Sequence, residues 1–461
     1  MTSVKRYDYT RGSIGFGLFR LAVPSCLEPI AWNADILVEI FWVGRLGSEY
    51  LAAVSLSFMV IFFFRAVGFG IRIAGSALVA QRIGAKEPEH ASHAAGQAFL
   101  LAGFYYAAIS FLGFVFSSRL LGLLTSDATV MRVGVAYLQA SFLTIAFVDG
   151  IFTVSHMLKS SGEPGKSLIG LGISTLLSIT FIPLLVFGIG PFAGFGLPGS
   201  AIGIGIGRII GVLVVLWFLT SGRSRLRIRL AHLKPDLRSM RRIILLGWPA
   251  AAQNLLERGA LLILLKILAL FGPVVLAAWS IGNRLGTFSR LPGFGIQSAV
   301  RTMVGQNVGA DRPDRALKSV YLAMAGLFVM MCGVTFLLYF YAKEIVLIFG
   351  MKGEGVDVGV ACVRILSIGT LFEAIRRMLA GAFQGAANTK PPMVVEAFVR
   401  WGFQIPLAYF AALPLGFEAA GVWGAMTISH LVGGVCLLVW FLAWSRRRGI
   451  ASHAETRFDD K

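Results

Sequence analysis

Two stretches of this chain repeat one another 225 positions apart. Laid without a gap over Gly272–Ala310, the segment Gly47–Ala85 is identical at 16 of 39 positions, including LAA, F-x-R, GFGI and the closing Q-x-x-GA. The same offset pairs Leu21–Pro24 (LAVP) with Leu246–Pro249 (LGWP). A chain made of two copies of one unit folds as two related bodies. Because both copies are strongly apolar, the repeat points to a two-lobed membrane transporter.

Composition supports the membrane reading. Hydrophobic residues are 56% of the chain and charged residues 14%, against about 25% charged in soluble domains; mean hydropathy is +0.76. A spanning helix needs about 20 apolar residues. Twelve such stretches lie near 16–44, 50–83, 91–117, 129–157, 166–188, 198–221, 242–270, 275–308, 315–342, 356–384, 391–414 and 419–445. Barrel strands need only about 10 residues each, so these lengths predict helices. The expected fold is an all-α membrane protein of twelve transmembrane helices in two pseudo-symmetric six-helix lobes. The lobes occupy 1–221 and 242–445, joined by a basic linker at 222–241 and followed by a tail at 446–461. The first stretch is too long for a signal peptide and holds Pro24, Glu28, Pro29, Asp35 and Glu39.

The net charge of +19 would suit a nucleic-acid binder, but its placement does not. Odd-numbered loops hold only Arg45, Arg119, Lys343 and Lys352, whereas the termini and even-numbered loops are rich in Lys and Arg. This asymmetry predicts a multi-pass protein of the cytoplasmic membrane with both termini in the cytoplasm. The linker carries Arg223, Arg225, Arg227, Arg229, Lys234, Arg238, Arg241 and Arg242. It reads first as a solvated, topology-setting loop, with anionic lipid headgroups as a second use. Cys26, Cys332, Cys362 and Cys436 lack C-x-x-C spacing and read as small buried hydrophobes. There is no H-E-x-x-H and no G-x-S-x-G, so no enzyme is expected. The expected partners are a small-molecule substrate and membrane lipid, with no nucleic acid; the expected state is a monomer. Gly199, Gly203, Gly207 and Gly211 recur every four residues, which predicts a helix face for close packing.

Charges inside spans are costly and mark pathways or paired networks. Asp35 and Glu39 share one helix face, with Asn33 nearby and Pro24 and Pro29 interrupting the helix. Two close carboxylates can take up a proton or share a monovalent cation. In the second lobe Glu257 lies on the seventh span and Glu373 on the tenth, and Glu257, whose neighbour Arg258 points in a different direction, is expected to stay available for an ion. Glu396 and Arg400, four apart, are expected to neutralise each other. Asp149 and His156 could relay a proton. Arg65 and Arg290 are repeat-equivalent, which suggests a shared bond to an opposing helix; with Arg72, Arg284 and Arg301 they could make a cavity basic. Pro24, Asn33, Arg65, Asn283, Arg290 and Arg376 are the candidates for substrate cavity or hinge.

The segments VEIFWVGRLG (Val38–Gly47), LAAVS (Leu51–Ser55) and LVAQRIGA (Leu78–Ala85), Pro249 with Glu257, and Glu373 twelve residues before Gly385 resemble the multidrug and toxic compound extrusion (MATE) family over essentially the whole chain. The resemblance implies a secondary antiporter that exports drugs or other small organic compounds by alternating access, in exchange for H⁺ or Na⁺. No cofactor beyond the transported H⁺ or Na⁺ is implied. By that resemblance Glu39, Glu257 and Glu373 fall on ion-coupling acids, with Na⁺ at Glu257 and Glu373. Both family Asp positions are Glu here, Ile182 replaces the fifth-span acid of proton-type members, and Gly369 offers no side-chain oxygen. A lipid-linked precursor flippase of the same superfamily, or an organic-anion exporter with a basic cavity, are the alternatives.

Overall fold

The structure, a computed structural model, describes residues 7–189 and 192–446; the tail expected at 446–461 lies, beyond Arg446, outside the described residues. The first copy comprises α1 (Ile14–Gly44), α2 (Ser48–Gly84), α3 (Pro88–Gly122), α4 (Ala128–Ser160), α5 (Pro164–Phe187) and α6 (Leu197–Thr220). Between α5 and α6, two two-residue strands, β1 (Gly188–Ile189) and β2 (Phe192–Ala193), form a small antiparallel turn. A 3₁₀ turn at Leu230–Leu233 precedes the second copy. That copy comprises α7 (Leu237–Ala269), α8 (Pro273–Gly309), α9 (Pro313–Phe340), the short α10 (Ala342–Ile348), α11 (Gly355–Gly385), α12 (Lys390–Ala397), α13 (Ile405–Ala412) and α14 (Glu418–Arg446). A π-helical stretch, Phe398–Gln404, joins α12 to α13, so the eleventh crossing is one interrupted helix.

Local chemistry sets the ends. Proline opens α3, α5, α8 and α9 where its missing N–H costs nothing. Asp127 caps α4 by accepting from the Thr129 and Val130 amides at 2.9 Å. Lys86 and Asp311, 225 residues apart, both turn left-handed (φ 64° and 59°) just past α2 and α8. The repeat in sequence is thus a repeat in backbone.

Twelve crossings result, although only nine helices among the described residues are long and apolar enough by composition alone. The other three are polar or broken. α7 carries Arg238, Arg241, Glu257 and Arg258, α8 carries Arg284, Arg290 and Arg301, and the eleventh crossing is divided by its π stretch. Of the cysteines, Cys362 is buried but Cys332 is exposed, as an apolar side chain on a lipid-facing helix can be.

Packing divides the chain into Leu27–Ala251, here the N-lobe, and Met1–Cys26 with Ala252–Lys461, here the C-lobe. These bounds differ from the repeat units at 1–221 and 242–445. The division falls at Cys26 in α1 and at Ala251 in α7, each two residues past a repeat proline (Pro24, Pro249). The opening part of each copy's first helix packs with the other copy, and the reason lies in the GFGI block. A Cβ on Gly70 would meet the Gly247 carbonyl oxygen at 2.4 Å in the N-lobe. A Cβ on its repeat mate Gly295 would meet Cys26 Sγ at 2.1 Å and the Ala22 carbonyl oxygen at 2.8 Å in the C-lobe. Backbone rests on backbone at both crossings, which only glycine permits. The α6 glycine face likewise lies on α5: a Cβ on Gly199 would meet the Leu185 carbonyl at 2.2 Å.

The basic linker is docked rather than solvated. Gln97 on α3 donates to the carbonyls of His232 (3.0 Å) and Lys234 (2.7 Å) and accepts from the Asp236 amide (2.9 Å). α7 begins at Leu237, earlier than expected, because Asp236 accepts from the Arg238 amide at 3.0 Å. The Ser239 hydroxyl, donating to Asp236 at 2.6 Å, and then His93 hold this carboxyl down from 3.8 to about 2.

Replacing Gly70 or Gly295 by Leu should lower the melting temperature of purified protein, overpacking costing roughly 1–3 kcal/mol. Gly103→Ala, with nothing within 4 Å, should leave it unchanged. Because Asp236 has a folded value below its ordinary one, its contribution is complete above the ordinary carboxyl range and fades as pH falls toward about 2. The protection of the linker amides relative to their intrinsic exchange rates should therefore be constant above about pH 5 and fall below about pH 4.

Candidate functional site: buried charge in each lobe

In the N-lobe, α1 presents Asp35 and Glu39 on one face, one turn apart. Glu39 is wholly buried. Its Oε1 accepts from the Tyr137 hydroxyl at 2.9 Å and the Ser200 hydroxyl at 2.8 Å. Its Oε2 has no hydrogen-bond donor, and no cation among the described residues pairs with it. Asp35 is bonded to the Arg208 guanidinium of α6, which also donates to Ser174 Oγ at 3.2 Å. The two acids thus have different partners rather than a shared cage. Both line a cavity of about 560 Å³, counted with its open mouth, together with Trp32, Phe58, Arg65 and Tyr137.

Beside this cavity Arg65 donates to Asp149 on α4 at 2.9 and 3.1 Å, with its guanidinium 4.6 Å above the Trp32 ring. Arg72 donates to the same carboxylate at 2.8 Å and to the Tyr106 hydroxyl at 3.2 Å. Asp149, expected as a relay with His156, is instead the counter-ion of two guanidiniums. Asn33, expected to offer an oxygen to the acids, donates its amide to the Pro29 carbonyl at 2.7 Å. Close to Pro29, Glu28 accepts from Lys159 and from Ser167, each at 2.5 Å, and all three are buried.

In the C-lobe every expected acid is already met by arginine. Glu373 on α11 accepts from Arg377 at 2.8 Å and Arg290 at 3.3 Å, with His430 at 3.9 Å. Glu257 is paired with Arg377 and lies 4.0 Å from Arg400. Glu396 is held by Arg376 and by Arg400, the latter at 2.8 Å. The expectation that Glu257 stays available for an ion is therefore corrected: Arg377, 120 residues away in the chain, occupies it. A Na⁺ at Glu257 and Glu373 would sit among Arg290, Arg377 and Arg400, and like charge at such distances opposes it. Arg376 is buried, whereas Asn283 is exposed on α8.

The expected equivalence of Arg65 and Arg290 holds in geometry. Each reaches a carboxylate 84 or 83 residues further on, Asp149 and Glu373 respectively. Sequence reasoning missed Arg208, Tyr137, Ser200 and Lys159. Arg208 was detectable, being a charge inside the glycine-rich sixth span. The hydroxyls carry no such signal, since Tyr and Ser are common in spans.

The MatE family model matches residues 24–184 and 249–410, two segments that begin on the repeat prolines. The chain is 25% identical over 428 residues to the probable multidrug resistance protein YoeA of Bacillus subtilis, covering 91% of this chain and 92% of that one. It is 26% identical over 435 residues to a probable multidrug resistance protein NorM of Deinococcus radiodurans, covering 93% and 95%. Its fold matches a crystal structure of MATE in the straight conformation with a TM-score of 0.88 at 20% identity, covering 98% of this chain and all of that one. It also matches a superfamily transporter from Pyrococcus furiosus, described as having a binding pocket of reverse polarity, with a TM-score of 0.87 at 19% identity over 98% and 99%. The twofold match of the family model, over more than half of the residues, makes this chain a member of the MatE family of multidrug and toxic compound extrusion transporters.

Proposed function

We propose that the protein is a cation-coupled secondary antiporter that exports small organic compounds across the cytoplasmic membrane by alternating access, with both termini in the cytoplasm. The observation that carries the coupling site is Glu39. It is a fully buried carboxylate with two hydroxyl donors on one oxygen, none on the other, and no counter-cation among the described residues. A carboxylate so placed requires a proton or a bound cation. A proton needs only the Glu39 carboxylate, whereas a metal cation needs several further oxygen ligands, and the two hydroxyls bonded to Glu39 aim their hydrogens at it. The reading is therefore H⁺ exchange at Glu39, with Asp35 and its Arg208 partner as the adjoining polar wall.

Cargo enters the cavity beside it, whose Trp32 and Phe58 rings offer stacking surface and whose Arg65 and Asp35 offer charge of both signs. A proton drives transport only if its affinity differs between the outward- and inward-open states. Multidrug relatives such as YoeA and NorM support the export of varied organic compounds. A second reading, anionic cargo, is favoured by the C-lobe, where Arg290, Arg376, Arg377 and Arg400 outnumber Glu257, Glu373 and Glu396.

Efflux of a fluorescent cationic dye from proteoliposomes under an imposed pH or Na⁺ gradient, each alone, tests this. Glu39→Gln should reduce pH-driven efflux at least tenfold while the protein remains folded; undiminished efflux would remove Glu39 from the coupling site. Glu373→Gln should act differently. It leaves Arg290 and Arg377 short of a counter-ion, and breaking a buried pair costs about 3–5 kcal/mol. The expected result is a lowered melting temperature with coupling retained in the folded fraction.

A further inference from the structure

We propose that the linker between the two sequence copies is a docking surface for the anionic phospholipid headgroups of the adjacent leaflet. From Arg223 to Leu230 the residues alternate strictly, arginine at 223, 225, 227 and 229 against Ser224, Leu226 and Ile228. Ser224, Leu226 and Ile228 are buried, Leu226 and Ile228 within the N-lobe core. The extended segment is pinned along its length. Ser224 and the Arg225 amide donate to Glu163, the Arg227 amide donates to Ser92 Oγ at 3.0 Å, and the Ile228 amide donates to the Leu219 carbonyl at 3.1 Å. A loop whose only task is to set topology needs charge but not order; this one is held so that Arg223, Arg227 and Arg229 are exposed, while Arg225 is half-buried and donates to the Ser161 carbonyl at 3.4 Å.

The acids nearby neutralise only part of that arginine row. Glu163 is used by Ser224, Arg225 and Lys166, and Glu89 takes His232 at 3.1 Å and Arg229 at 3.6 Å. Asp236 takes Ser239 and His93. Arg223, Arg227 and Arg241 are exposed and form no ion pair among the described residues. Arg223 instead stacks on Trp217 at the end of α6, its guanidinium 4.3 Å from the ring. A half-exposed tryptophan at a span end marks the level of the headgroups.

Two large apolar side chains complete the surface. Leu230, the first residue of the 3₁₀ turn, is 86% exposed, and Leu237, the first of α7, is 79% exposed; both follow the arginine row in the chain. Water is a poor neighbour for both, whereas the interfacial layer of a bilayer accepts leucine and supplies phosphate to arginine together. A free phosphate or a nucleic acid would satisfy the arginines but leave the leucines uncovered. The occupant that fits charge and apolarity at once is an anionic lipid.

The test uses the full chain purified in an uncharged detergent and titrated with phosphatidylglycerol, phosphatidylcholine, inorganic phosphate or a short oligonucleotide, reading the thermal unfolding midpoint. Phosphatidylglycerol alone should raise the midpoint saturably, and added salt should weaken the effect. Replacing Arg223, Arg227 and Arg241 together by Gln should weaken the apparent affinity about 100-fold, at about fivefold per arginine. The same positions changed to Lys should retain it, which a purely structural role for these arginines would not allow. Leu230→Ser with Leu237→Ser should weaken lipid binding without altering the salt dependence. Equal stabilisation by phosphatidylcholine, by phosphate or by the oligonucleotide would overturn the proposal, as would a Gln variant that binds phosphatidylglycerol like the parent.

Discussion

A charge placed among apolar helices must be compensated by a neighbour within reach, and the interior of each lobe is arranged around that requirement. Asp149 sits between Arg65 and Arg72, Asp35 against Arg208, Glu28 against Lys159, and Glu373 among Arg290, Arg377 and His430. These pairs tie α1 to α6, α1 to α4, α2 to α4 and α8 to α11. Ion pairing therefore orders the helices of each lobe in addition to neutralising them. Removing one partner leaves a charge with nowhere to go, which is why such pairs behave as structural joints. Glu39 departs from the pattern, held by two hydroxyls and no cation, and that departure is the reason for giving it the coupling role.

The second constraint is steric. Where Gly70 meets Gly247 and Gly295 meets Ala22, main chains touch. The same contact occurs in both copies, so duplication preserved a crossing and not merely a hydropathy profile. The packing boundaries at Cys26 and Ala251 follow from it. Prolines stand two residues before each, where a helix most readily bends. The identical GFGI blocks are the sequence trace of this arrangement.

Much of the architecture was legible in the residues. Twelve apolar stretches, the repeat offset, the α6 glycine face and the equivalence of Arg65 with Arg290 all correspond to features of the fold. The candidate site was legible in its members but not in its pairings. Glu257 looked available because its neighbour in sequence, Arg258, points elsewhere on the helix, but the decisive neighbour is Arg377 from α11. Asn33 looked like an oxygen donor to the acids, but its amide is turned toward Pro29. Arg208 was overlooked because the glycines around it drew attention to packing.

The sequence by itself determined where the chain is apolar, how often it crosses, and that it was built twice, because hydropathy and repetition are properties of residues in order. Only the tertiary structure decided which acid meets which arginine, that the linker lies pinned with Leu226 inward and Leu230 and Leu237 outward, and that each copy's first helix is shared between lobes. Those outcomes depend on distances between residues far apart in the chain, 173 positions for Asp35 and Arg208 and 273 for Ala22 and Gly295. Helix-to-helix distance is set by side-chain volume and glycine contact, which no one-dimensional pattern encodes.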